Sequence, residues 1–283
     1  VRIRVFAAAV TALAVLAGVG IYLGLRKVGE GLKLPTARRA CTVQADGRVA
    51  LDASQMANAA TIAAMGVRRK MPERAVVVAL ATAFQESKLQ NLTGGDRDSV
   101  GLFQQRPSQG WGTAEQIRDP RYAARKFYDA LRKVRGWEKM RVTDAAQRVQ
   151  RSAFPQAYEK WADESTVLTR ALLGHATGAV SCTVPERPAV RGDAATAALS
   201  QELQLDWGRF ETAPAEVLGL AVSVGDDRSG WRYAHWLVSH AADHGVKRVR
   251  FGGLEWTADA GKWGKVTERS AGPHVIAEVF ADT

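Results

Sequence analysis

The chain has 283 residues, 46% apolar and 24% charged, with a formal net charge of +10 and an isoelectric point of about 9.9. That is enough apolar material for about two folded domains, and it excludes a chain disordered throughout. The basic balance points to a polyanionic neighbourhood: nucleic acid, anionic lipid or an anionic wall polymer. The cations are scattered in pairs such as Arg38-Arg39 and Arg68-Arg69, without tract or zinc-finger spacing, which argues against a specific nucleic-acid reader.

From Val5 to Leu25 the chain carries no charge, and Arg2, Arg4, Arg26 and Lys27 flank this stretch. Such a run is long enough to span a bilayer and predicts an N-terminal membrane anchor, the alternative being a cleaved export signal. Residues 28–50 follow as a basic stalk punctuated by Gly and Pro. Cys41 and Cys182 are the two cysteines of the chain. They bracket one candidate domain, and outside the cytoplasm they are expected to pair, closing a loop of about 140 residues worth up to about 4–5 kcal/mol. No CxxC spacing supports a redox or zinc site.

Further along, Asp52 or Ser54 caps a predicted helix through Met65, and a second helix starts at Pro72-Glu73 and runs to about Leu89. The second is apolar all round before Gln85, as a helix in the middle of a bundle would be. The stretch 91–112 is broken by Gly94, Gly95, Gly101, Pro107, Gly110 and Gly112, and reads as a structured loop. Asp119-Pro120 opens a helix to Leu131, and further helices are expected at about 143–151 and 165–174. Beyond a linker centred on TVPERPAVRGDAAT (183–196), helices are expected at 197–204 and 233–242. Strands are expected at 218–224, 246–251 and 275–280.

The residue that stands out is Glu86, a lone carboxylate at the end of the apolar helix. A carboxyl walled by apolar groups is harder to ionise and holds a proton for delivery to a leaving group. Around it the chain offers neutral hydrogen-bonding groups, Ser87, Ser99, Gln104, Gln105 and Ser108, with flat faces at Trp111 and Tyr122. That mixture suits sugars, whose hydroxyls seek amides and whose C–H faces stack on aromatic rings.

Gln85-Glu86-Ser87, then Gly101-Leu102-Phe103-Gln104-Gln105, then Asp119-Pro120 before the helix ending at Leu131, resembles the soluble lytic transglycosylases and their goose-type lysozyme relatives. The resemblance covers roughly residues 50–175. It implies a lysozyme-like helical fold, Glu86 as catalytic acid, a glycan cleft lined at Gln104 with Phe103 in a Met position, and cleavage of the β-1,4 bond between N-acetylmuramic acid and N-acetylglucosamine in peptidoglycan. A later Tyr-Asn-Ala-Gly segment of that family is replaced by Ala146-Gln147-Arg148-Val149-Gln150-Arg151-Ser152. Gln147 and Gln150 are candidates for a polar contact in place of the Asn, with no motif match that assigns either, and Tyr158 is a further candidate for the cleft.

A two-carboxylate mechanism needs a partner at about 5 Å or about 6.5–9.5 Å from the acid, and Asp96 and Asp98 are the candidates near Glu86 in sequence. If neither serves, the muramic C6 hydroxyl acts as nucleophile and one glutamate works as acid and then base. The expected function is therefore a peptidoglycan lytic transglycosylase, with a hydrolytic muramidase or a non-catalytic wall-glycan scaffold as alternatives. In the C-terminal part, His235, His240, His244 and His274 with Asp243, Glu255 and Asp259 suggest a metal site, but His-Ala-Ala-Asp-His lacks the glutamate of a zincin. That part loosely resembles D-Ala-D-Ala metallopeptidase-like domains without their His-x-His pair, so an accessory wall-binding domain is expected, with no metal and no cofactor.

The expected fold class is mainly α: a lysozyme-like helical domain after an N-terminal transmembrane helix, with a small α/β C-terminal domain. The expected boundaries are 1–27 for the anchor, 28–50 for the stalk, 51–182 for the catalytic domain, 183–200 for the linker and 201–283 for the accessory domain. The expected location is the cell membrane, single-pass through residues 5–25 with the folded domains outside the cytoplasm, or secretion if the segment is cleaved. The expected partners are peptidoglycan glycan strands and the cytoplasmic membrane.

Overall fold

The computed structural model describes residues 40–184, 188–213, 215, 217–266 and 273–282, all within one compact unit. It is a mixed α/β fold, which corrects the mainly α expectation. The stretch expected as a stalk contains a hairpin, β1 (Cys41–Gln44) and β2 (Arg48–Leu51), joined through Asp46-Gly47. Asp46 adopts φ +53°, the left-handed conformation that Asp-Gly turns favour. Val43 and Val49 face the core while Gln44 and Arg48 face water, a two-residue alternation hidden among the basic residues. Strand β3 (Val180–Cys182) pairs with the other side of β1 and sets Cys41 directly opposite Cys182, and the two form the expected disulfide.

The anchor expectation is also corrected. Among the described residues no helix is long and apolar enough to cross a membrane, and the segment 5–25 on which the expectation rested lies outside them. The most apolar helices described, α1 (Ala53–Arg68) and α2 (Glu73–Ser87), have 16 and 15 residues and are packed into the protein core. Single-pass membrane placement is therefore not carried by this fold.

Helix α1 starts in a capping box in which Asp52 accepts from the Gln55 N–H and the Gln55 side chain accepts from the Asp52 N–H. Helix α2 is buried from Ala75 to Phe84 except at Val77, because α1, α4 (Pro120–Arg132), α5 (Val142–Gln150) and α6 (Ala162–Leu172) surround it. A short α3 (Ala114–Ile117) precedes α4 and buries Ile117. The C-terminal half is a six-stranded antiparallel sheet in the order β4-β5-β9-β6-β7-β8, with β4 Thr212–Ala213, β5 Gly219–Ser223, β6 Val246–Phe251, β7 Leu254–Thr257, β8 Trp263–Lys265 and β9 His274–Val279. Helices α7 (Gly192–Trp207) and α8 (Asp227–Ser239) pack against this sheet, and α9 (Ala241–His244) follows α8. Helix α7 begins inside the stretch expected as linker.

The two halves share one core, since α8 also packs on α1, α6 and β3. Their junction holds a buried polar knot. Asp206, fully enclosed, accepts hydrogen bonds from Thr61 Oγ1 (2.9 Å), Trp236 Nε1 (2.7 Å) and Arg121 Nε (2.6 Å), while Arg121 also pairs with Glu202. A buried carboxylate is tolerable only when its lone pairs are met in this way. His235 is likewise fully buried. Its Nε2 accepts from the Ala179 N–H (2.9 Å) and its Nδ1 lies 2.8 Å from the Ala171 carbonyl, which makes Nδ1 the protonated nitrogen.

Candidate active site

Glu86 sits in the last turn of α2. Two consecutive non-glycine residues then take left-handed backbone, Lys88 at φ +56° and Leu89 at φ +60°, each at a cost of about 1–2 kcal/mol. Helix α1 offsets that strain: Gln55 Nε2 donates to the Lys88 carbonyl and Asn58 Nδ2 to the Leu89 carbonyl, both at 2.8 Å, while the Leu89 side chain is buried. The abrupt end lets the chain turn away and leaves the Glu86 side chain half-buried.

Two donors reach the Glu86 carboxylate. Tyr158 Oη donates to Oε1 at 2.6 Å and Gln150 Nε2 donates to the same oxygen at 3.1 Å. Gln150 Nε2 also donates to the Phe103 carbonyl at 2.8 Å, which fixes its amide. Oε2 has no hydrogen-bond donor among the described residues. The Tyr158 phenol is pushed well above its ordinary pKa by burial first and by the adjacent Glu86 charge second, so it remains a donor throughout the neutral range.

The loop after α2 frames this carboxylate. Val100 and Gln105 exchange backbone hydrogen bonds at 3.0 and 3.1 Å, closing a tight turn whose Leu102 and Phe103 are fully buried. Phe103 stacks on Phe127 with centroids 4.8 Å apart. Gly101 needs to be glycine: it has φ +77°, and a Cβ there would lie 2.7 Å from the Ile117 carbonyl oxygen. Ser87 Oγ donates to the Leu102 carbonyl at 2.7 Å and pins the loop to the helix.

The sequence-expected site residues therefore divide. Glu86 and Tyr158 are brought together. Ser87, Ser99 and Gln105 are buried, with Ser87 holding the loop and Gln105 Nε2 donating to the Ala123 carbonyl at 3.2 Å. Gln104 is half-buried and donates to the Gly101 carbonyl at 3.2 Å, its Oε1 resting where a side chain on Gly95 would stand. Tyr122 donates to the Trp111 carbonyl at 3.1 Å, and Arg125 and Lys126 lie over its ring.

Asp98 accepts from Arg106 Nε (2.7 Å), the Ser108 N–H (2.7 Å) and Ser108 Oγ (3.0 Å), and those bonds, the Ser108 backbone first, hold it far below the usual carboxylate range. Asp96 is almost wholly exposed beside Arg97. Neither has a hydrogen bond to Glu86 or to the residues that hold it. Gln150 is the site residue that sequence reasoning left unassigned. The signal for it was its place at the end of α5, just past the buried stripe Val142, Ala145, Ala146 and Val149.

Two grooves approach the site, and Glu86 itself borders neither. One of ≈700 Å³ runs past Gln150 and is bordered by Gln109, Trp111, Lys126, Lys133 and Arg148. The other, ≈520 Å³, is bordered by Phe84, Lys88, Gln55, Gln90 and Trp161. Phe84 and Lys88 are one turn apart, so this second groove lies on the helix face about 200° from Glu86. Trp161 stacks on Phe84 (5.1 Å) and donates to Gln85 Oε1 (3.0 Å), bracing the helix end from that side. Of the histidines weighed as metal ligands, His235 and His240 are held by backbone carbonyls, and among the described residues no three His, Cys, Asp or Glu side chains converge as a metal site would require.

No protein-family model matches the chain, and no curated protein matches it. The chemistry of the Glu86 site therefore stands on the residues just described.

Proposed function

We propose that this protein is a peptidoglycan lytic transglycosylase in which Glu86 acts first as acid and then as base. The observation that carries the reading is the one-sided hydrogen bonding of the Glu86 carboxylate, with Tyr158 and Gln150 both on Oε1 and no donor to Oε2 among the described residues. Oε1 remains an acceptor in either protonation state, so the mobile proton belongs to Oε2. From there it passes to the glycosidic oxygen as the C1–O bond breaks, and the departing N-acetylglucosamine leaves with its hydroxyl restored. The muramic C6 hydroxyl then bonds to C1, and its proton returns to Oε2, so no water is consumed and the acid is regenerated.

The single-carboxylate route is favoured over a hydrolytic muramidase by the state of the two aspartates. Asp98 is committed to Arg106 and Ser108 within its own loop and Asp96 is almost wholly exposed, which favours the route that needs no second carboxylate. The test is digestion of purified glycan strands by the wild type and by Glu86→Gln. The variant keeps the Tyr158 contact and is expected to fold normally and release no fragments; cleavage at the wild-type rate would end the proposal.

A further inference from the structure

The ≈700 Å³ groove beside Gln150 is strongly cationic. Lys126, Lys133, Arg148 and Arg151 line it against a single carboxylate, Asp129, and Arg69 already pairs with that carboxylate. Lys133, Arg148 and Arg151 are exposed, and of the three Arg148 also feels the Asp144 carboxylate one helical turn away. Cations gathered on one concave wall concentrate their field on an anion that enters it. The neutral part of the wall, Gln109, Trp111 and Gln150, has the amides and the flat indole that sugars prefer over bare ions.

Gln150 ties the groove to the chemistry, because it borders the groove and donates to the Glu86 carboxylate at 3.1 Å. The groove and the Glu86 carboxylate are therefore neighbours through the Gln150 side chain. We propose that this groove selects an acidic glycan, a saccharide strand carrying carboxylate or phosphate groups, with Lys133, Arg148 and Arg151 as the residues that distinguish it from a neutral glycan. The inference rests on the proposed glycan-cleaving role of Glu86 and adds which glycans the site accepts.

Binding separates the two ideas, because it is measured on full-length Glu86→Gln protein without turnover. The probes are muramic-acid-containing oligosaccharides with free carboxylates, the same oligosaccharides amidated, a phosphorylated oligosaccharide, a neutral chitooligosaccharide of equal length and a single-stranded oligonucleotide. The carboxylate probe is expected to bind at least about tenfold more tightly than its amidated form, with an affinity that falls as salt rises. Lys133→Glu with Arg148→Glu, in the same background, is expected to remove that preference, while Lys262→Glu, which alters the net charge in the C-terminal half, leaves it intact. The phosphorylated probe identifies which acidic group is preferred, and a preference for either supports the site. Equal affinity for charged and neutral glycans, unchanged preference in the double variant, or tighter binding of the oligonucleotide would overturn it. A wild type that cleaves no glycan while the charge preference persists would count against the catalytic reading alone.

Discussion

The hydrogen bond from Tyr158 to Glu86 concentrates the account at the scale of one residue. A buried phenol 2.6 Å from a carboxylate is a charge-assisted contact worth roughly 1.5–3 kcal/mol, and it fixes which oxygen is free to transfer a proton. Tyr158→Phe removes the donor and keeps the ring. It is expected to lower kcat about 10- to 100-fold with little change in KM, since the contact acts on the reacting carboxylate and not on remote parts of the strand. Steady-state kinetics beside a far-ultraviolet circular dichroism spectrum checks this, and an unchanged kcat in a folded variant would remove Tyr158 from the mechanism. Asp98→Asn makes the complementary case. Its carboxylate belongs to the loop, so the variant is expected to lose some loop order and yet retain cleavage, measured on the same strands.

At the scale of the element, the site depends on how α2 ends and on the turn that follows. Gly101→Ala forces a Cβ against the Ile117 carbonyl at a backbone angle of +77°, and is expected to cost about 1–3 kcal/mol, read as a lower denaturation midpoint with an unchanged slope. The helix carrying Glu86 and the glycine-broken loop beside it were legible in the sequence, because an unbroken apolar run and a cluster of glycines are local signals. Gln150 was legible only as an alternative to Gln147, since its contact with Glu86 spans 64 positions and no motif distinguishes the two. The first hairpin was missed because β1 and β2 are four residues each, too short for alternation to stand out among arginines. The neutral groups grouped by sequence around Glu86 were right in type and proximity, yet Ser87 and Gln105 are turned toward backbone carbonyls and hold the loop in place.

For the whole molecule, the junction between the halves makes stability depend on pH. Burial lowers the pKa of His235 from 6.5 to about 4, against the opposing pull of the Ala171 carbonyl, and burial also lowers His240 and His244. These groups bind protons more readily unfolded than folded. Their contribution is fully present above the unfolded value of about 6.5 and is lost as pH falls toward 4, on the order of 3 kcal/mol for His235 alone. Thermal melts between pH 7.5 and 4.5 are expected to show a falling midpoint, and His235→Gln to flatten that slope; a midpoint independent of pH would contradict the buried neutral imidazole. The central claim is that this whole body presents one carboxylate to a glycan strand and needs no second. Mass analysis of the ends released from purified peptidoglycan tests it most directly. The account predicts muramic ends lighter than hydrolytic ends by one water, as an internal 1,6-anhydro bond requires, whereas intact strands or reducing muramic ends would contradict it.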